Sequence, residues 1–152
     1  MTDRITFDTN VLVYSQDGRD PGKQEIADRL VRHGPQTGVR LTTIAIGEFF
    51  GVVTRKLFVP AASAEQRVAD FLSLFETIPY DARHLRIAAR EAAAGRFSFW
   101  DAVMLASAEQ AGCTVCFSED MADGARLGGI AVHNPFGPRG LNEEARAWLG
   151  ME

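Results

Sequence analysis

Four acidic residues stand in four unlike settings along this chain. Asp8 follows the short run RITF, and Asp120 follows VCF through Ser118 and Glu119. Glu48 lies inside IAIGEFFGVV and Asp101 inside FSFWDAVML. Each has a plain structural reading. Asp8 suits a turn or a helix N-cap. Asp101 stands three residues after Ser98, the spacing of a capping box. Asp120 suits a loop or the cap of the segment that follows it. Glu48 is harder to place, because its neighbours are apolar on nearly every side. A buried, unpaired carboxylate is costly and calls for a cation, a hydrogen-bond network or a raised pKa. A salt bridge to Arg55 or Lys56 is the structural alternative. Gly47 and Gly51 flank Glu48 at helical spacing and predict close approach by another element.

Taken together, the four acids suit a shared metal cage better than four separate structural roles. Clustered carboxylates repel one another and ionise together only beside a cation. Magnesium prefers oxygen ligands, binds one or two carboxylates directly and keeps several waters. Such an ion lowers the pKa of a bound water and stabilises negative charge on a phosphate. A zinc site is not favoured: His33, His84 and His133 are scattered and read as surface or capping residues. Cys113 and Cys116 form a C-x-x-C with no second pair, inside a β-like run, and read as buried structural cysteines.

The elements that must position these acids are legible in outline. Arg4 to Phe7 reads as a strand ending at Asp8. Lys23 to His33 has helical spacing with Ile26, Ala27, Leu30 and Val31 on one face. Val39 to Leu41 predicts a second strand, and Ile44 to Leu57 a buried helix closed by Pro60. Ser63 to Phe75 predicts a helix capped by Ser63, with Val68, Phe71, Leu72 and Phe75 as its apolar stripe. Thr77 to Pro79 reads as a short edge strand. Helices over Ala82–Ala94 and Phe99–Ala111 end at Gly95 and Gly112. Thr114–Phe117 and Ile130–Val132 read as the last two strands. Strands alternating with helices predict an α/β fold with a parallel sheet covered on both faces, whose ligands bind at the carboxyl ends of the strands.

The 152 residues fit one domain, with a core large enough to need no disulfide. The division expected is a domain over 1–136 and a tail over 137–152 that holds a helix-like piece, Asn142 to Leu149. A formal charge of -4 excludes nucleic-acid binding by bulk charge, so such binding needs a local basic patch or metal ions that offset the carboxylates. No apolar run reaches bilayer length and the amino terminus carries no signal pattern, so a cytoplasmic location is expected.

The segments FDTNVLVYSQD, LTTIAIGEFFGVVTRKL, FSFWDAVMLASAEQAGC and CFSEDMADG resemble, in order, the four signature segments of PIN domains. They are most similar to the VapC-type toxins of bacterial toxin–antitoxin pairs. The resemblance implies a PIN-like three-layer sandwich, a central mostly parallel sheet with helices on both faces. It implies RNA cleavage that depends on Mg2+ or Mn2+, a homodimer, and inhibition by a cognate antitoxin protein. By motif match Asp8, Glu48, Asp101 and Asp120 take the places of the family's acidic quartet. Asp8 and Asp101 would anchor metal; Glu48 and Asp120 would orient waters or hold a second ion. Asn10 and Ser118 match the polar residues that position the first acid through hydrogen bonds. Glu119 has no assigned role.

RNA contacts are expected from Arg83, Arg86 and Arg90, a basic stripe at i, i+3 and i+7, and from Arg96. Phe97, Phe99 and Trp100 could stack on bases or belong to the core. A haloacid-dehalogenase-type phosphatase would need a second Asp at position 10, where Asn10 stands. A receiver-like domain would need a late lysine, and the only lysines are Lys23 and Lys56. Two further alternatives are a PIN nuclease of RNA processing without an antitoxin, and a PIN-like module that binds without cleaving.

Overall fold

A computed structural model describes residues 4–137 and 140–150. Pro138, Arg139 and residues 151–152 of the expected tail lie outside the described residues.

Three parallel strands carry the centre: β1 (Ile5–Phe7), β4 (Val115–Phe117) and β6 (Ile130–His133). A short strand β5 (Arg126–Leu127) adds antiparallel to β6, giving the order β1-β4-β6-β5. The strands β2 (Arg40–Thr42) and β3 (Glu76–Ile78) pair in parallel with each other, and β2 lies against β1. β1 and β4 are buried along their whole length and β6 in all but His133, as expected where helices cover both faces. This is the mostly parallel α/β architecture expected. β5 was not legible in the sequence, nor was the hairpin of β7 (Phe136–Gly137) and β8 (Gly140–Leu141). Each of these strands has only two residues, too few to show a period.

Seven helices surround these strands among the described residues: α1 (Thr9–Tyr14), α2 (Pro21–His33), α3 (Thr43–Arg55), α4 (Ala61–Leu74), α5 (Ala82–Ala93), α6 (Phe99–Gln110) and α7 (Glu143–Leu149). On α2 the buried residues are Ile26, Ala27, Leu30 and Val31, the face that the spacing predicts. α4 starts earlier than expected. Pro60 precedes its first residue, so Ser63 lies within the helix rather than at its cap. Leu72 is 52% exposed and drops out of the predicted stripe, while Phe71 and Phe75 remain buried. α6 is buried from Ala102 through Ala108 and is the central covering helix. The core is aromatic at its heart. Phe7 stacks on Phe117 with ring centroids 6.0 Å apart, and Phe49 meets Phe71 edge-on at 5.1 Å. From α7, Ala145 is buried and Trp148 stacks on Phe117 at 5.7 Å.

Cys113 and Cys116 are buried and unpaired by a disulfide. His84 is buried: its Nδ1 accepts from the Asp81 backbone N–H, and its Nε2 meets Gln110 Oε1. It is a capping residue, as read from the sequence. No helix among the described residues is long and apolar enough to cross a membrane.

Candidate active site

The parallel register does the first part of the assembly. Phe7 pairs with Phe117, so the next residue on each strand, Asp8 and Ser118, emerge side by side at the carboxyl edge. There Ser118 Oγ donates to Asp8 Oδ2 at 2.7 Å. Asn10, one turn into the chain after β1, donates from Nδ2 to the same oxygen at 3.0 Å and to Ser118 Oγ at 3.2 Å. The Thr9 backbone N–H donates to Asp8 Oδ1 at 2.7 Å, so Asp8 is also the N-cap of α1. The structural reading and the functional placement of Asp8 therefore coexist.

The helices supply the other acids by direction. α3 leaves the carboxyl end of β2 through the cap Thr42, which accepts from the Ala45 backbone N–H at 3.2 Å. Glu48 therefore stays within the helix's second turn, near that edge. α6 leads toward β4 and so runs opposite to it, which puts its first turn, with Asp101, at the same edge. Asp120 follows β4 by three residues. All four acids, with Asn10 and a fifth acid, Asp17, line one open cleft of about 330 Å3.

Two expectations about these acids are corrected. Glu48 is exposed rather than enclosed, because α3 turns that residue toward the cleft. No other element approaches at its glycines: a Cβ on Gly47 would meet nothing within 4 Å, and one on Gly51 would meet only the Arg55 guanidinium of its own helix. Arg55 donates instead to the Gly51 carbonyl, at 3.0 Å. Asp101 is not explained by a capping box, since Ser98 makes no side-chain capping hydrogen bond.

The electrostatics are those of charges crowded without partners. Burial pushes the Asp8 carboxyl up to about 6, helped by Asp101 and Asp120, against the opposing pull of the Ser118 and Thr9 hydrogen bonds. Glu48 is raised by partial burial of its carboxyl group and by Asp101, although the residue as a whole is exposed. None of the four forms an ion pair among the described residues. An all-oxygen donor set with unneutralised charge fits a hard divalent cation. Among the described residues no three His, Cys, Asp or Glu side chains converge into a closed cage. The acids share a cleft rather than a point, an arrangement suited to an ion that keeps much of its water.

A family model for the PIN domain matches residues 5–123. The chain belongs to the PIN-domain family. Its fold is similar to that of Mycobacterium tuberculosis VapC20, a sarcin-ricin loop cleaving toxin, with TM-score 0.64 and 19% identity over 76% of this chain and 89% of that one. DNA-bound VapBC from Salmonella typhimurium matches with TM-score 0.61 and 20% identity, over 88% and 98%. VapBC2 from Rickettsia felis, bound to a promoter DNA fragment, matches with TM-score 0.60 and 14% identity, over 86% and 97%. No curated protein sequence matches significantly.

The basic residues singled out in the sequence lie apart from the cleft. Arg83, Arg86 and Arg90 are exposed on α5, and none of them lines the cleft. Arg83 is forked onto Asp81, and Arg96 is tied to Glu91 at 2.6 Å. The cations that line the cleft are Lys56 and Arg19, and Arg19 is forked onto Asp17, a fifth acid of the cleft, at 2.9 Å. Lys56 had a readable signal, since Glu48, Val52 and Lys56 fall at i, i+4 and i+8 of one helix and all three line the cleft. Glu119 also finds a place. It accepts from Tyr14 Oη at 2.6 Å and pairs with Lys23 at 2.8 Å, which fastens the loop after β4 to α1 and α2.

Proposed function

We propose that this PIN-domain chain is a divalent-metal-dependent endoribonuclease, the toxin of a type II toxin–antitoxin pair. The observation that carries the reading is the convergence of Asp8, Glu48, Asp101 and Asp120 on one cleft, where none of these four is ion-paired among the described residues. Asp8 and Asp101 hold the metal, Mg2+ or Mn2+; Glu48 and Asp120 orient water or hold a second ion. Asn10 and Ser118 fix the Asp8 carboxylate in one orientation through the bonds to Oδ2, while Oδ1 accepts from the Thr9 backbone N–H. When bound, the ion supplies a Lewis acid for the phosphate and an acidified water. Lys56, at the same cleft, holds a flanking phosphate, while Arg19 is bound to Asp17.

The partner is a cognate antitoxin, and the chain acts as a homodimer in the cytoplasm. The Salmonella and Rickettsia structures similar in fold are VapBC bound to DNA, and a Klebsiella pneumoniae structure similar in fold is a toxin–antitoxin complex, which supports the antitoxin reading. Residues 1–136 form the nuclease domain, and 137–152 an accessory tail whose helix α7 packs on Phe117. The test is RNA cleavage by the purified chain with and without EDTA. Asp8→Asn and Asp101→Asn should each lose cleavage while remaining folded. Full activity in either variant, or in EDTA, rejects the proposal.

A further inference from the structure

The acidic cleft continues past Glu48. On the other side of that residue lies a second concavity of about 440 Å3, lined by Thr43, Ile44, Gly47, Glu48, Tyr80 and Trp100. Its chemistry is different, since aromatic rings and an isoleucine replace the carboxylates. The two spaces share Glu48 as a wall, and Trp100 directly precedes Asp101 at the start of α6. The rings of Tyr80 and Trp100 stand 6.2 Å apart at 77°. These residues are 41% and 52% exposed, whereas Phe97 and Phe99 beside them pack on the core. A Cβ on Gly47 would meet nothing within 4 Å, so the floor between the rings and Glu48 is open.

Exposed aromatic surface at the rim of a site forgoes the gain of burial and marks a place for a ligand. We infer that Tyr80 and Trp100 form a stacking subsite for one unpaired base of the RNA, next to the phosphate held at the acids. The inference rests on the ribonuclease reading above. Along a single strand, charged phosphates and flat apolar bases alternate within one nucleotide. A groove that passes from carboxylates to rings across one side chain matches that alternation. Two rings near a right angle let a base stack on one while the other closes its edge. The acidic cleft itself offers no aromatic face except Tyr14, which is engaged by Glu119.

The test uses the full chain and single-stranded oligoribonucleotides carrying a fluorescent adenine analogue at successive positions. With Mg2+ present and the scissile phosphate replaced by a nuclease-resistant methylphosphonate, the unaltered protein should quench the analogue at one position beside that linkage, and Trp100→Ala should abolish that quench. In cleavage assays Trp100→Ala and Tyr80→Ala should raise KM about 5- to 150-fold, the equivalent of ordinary base–aromatic stacking. kcat should stay within about threefold, and Trp100→Phe should restore most of the loss. Trp148, stacked on Phe117, remains in Trp100→Ala as an internal fluorescence report of folding. Unchanged KM in Trp100→Ala overturns the subsite. So does dissociation of a larger assembly into monomers with the quench retained, which would make the groove a protein–protein surface. If the unaltered chain cuts no RNA, the ribonuclease reading itself fails; cutting that is indifferent to Trp100 removes the subsite alone.

Discussion

Ser118 Oγ donates a 2.7 Å hydrogen bond to Asp8 Oδ2 across 110 residues of sequence. The bond follows from strand register, because β1 and β4 end on the paired residues Phe7 and Phe117. It also favours the charged form of Asp8, opposing the burial that raises its pKa to about 6. Ser118→Ala therefore frees Asp8 to rise further. A hydrogen bond to a charged group contributes roughly 1.5–3 kcal/mol, so the acid limb of the pH–kcat/KM profile should move up by about one to two pH units. An unmoved limb would show that Asp8 ionisation does not govern activity.

The raised pKa has a consequence for stability in the absence of metal. In the unfolded chain Asp8 titrates near 3.8, and in the fold at about 6. Below the lower value both states are protonated and the burial of Asp8 costs little. As pH rises from there to about 6 the unfolded state gives up its proton first, so stability falls and stays lowered above that range. The full difference is on the order of 3 kcal/mol. Asp8→Asn should therefore melt higher than the unaltered protein at pH 8 in EDTA, by about 2–4 °C per kcal/mol recovered. The advantage should vanish near pH 4. A lower melting temperature for the variant at pH 8 contradicts this.

The same ionisation governs metal uptake. A carboxylate ligand must lose its proton before it binds a cation. Calorimetric titration with Mg2+ or Mn2+ should give affinities that are flat above about pH 6 and fall by up to tenfold per unit below it. Affinity independent of pH between 5 and 7, roughly the window around that pKa, would remove Asp8 from the ligand set.

How much of this site the sequence disclosed varies from residue to residue, for physical reasons. The strand before Asp8 and the buried face of α2 were readable because burial imposes a period. The helix α1 was not. Its sequence, TNVLVY, is rich in β-branched residues, and it is held by the Asp8 cap and by burial of Val11 and Leu12 rather than by propensity. The exposure of Glu48 is not legible in its sequence, because apolar neighbours along a helix do not reveal which side opens onto a cleft. The spacing of Arg83, Arg86 and Arg90 does not disclose that Asp81 and Glu91 occupy two of the candidate cations, Arg83 and Arg96, a detail set by side-chain geometry.

Lys56 and Arg86 separate cleft charge from surface charge. Lys56 lines the acidic cleft at the end of α3, while Arg86 lies exposed on α5 outside it. Lys56→Ala should weaken RNA binding and lower the salt slope by about 0.7, the loss of one phosphate contact on a single strand. Arg86→Ala should leave both nearly unchanged. The reverse ranking in a salt-titrated binding assay would move the RNA path from the cleft to α5.

Glu119 and Asp120 are adjacent acids whose surroundings assign them opposite roles. Glu119 is held by Tyr14 and Lys23, each within 2.8 Å. Asp120 is exposed, lines the cleft and adds to the charge felt by Asp8. Glu119→Gln weakens a partly exposed pair, so it should cost about 1 kcal/mol or less and lower the melting temperature by a few degrees. Its RNA cleavage should stay within about threefold of the unaltered protein, since its carboxylate faces α2 and not the cleft. Asp120→Asn should do the opposite, with melting unchanged or slightly raised as one repulsion on Asp8 is lifted and cleavage reduced by at least about tenfold. Thermal melting and single-turnover cleavage on the two variants decide the assignment. Loss of cleavage in Glu119→Gln with full activity in Asp120→Asn would exchange their roles.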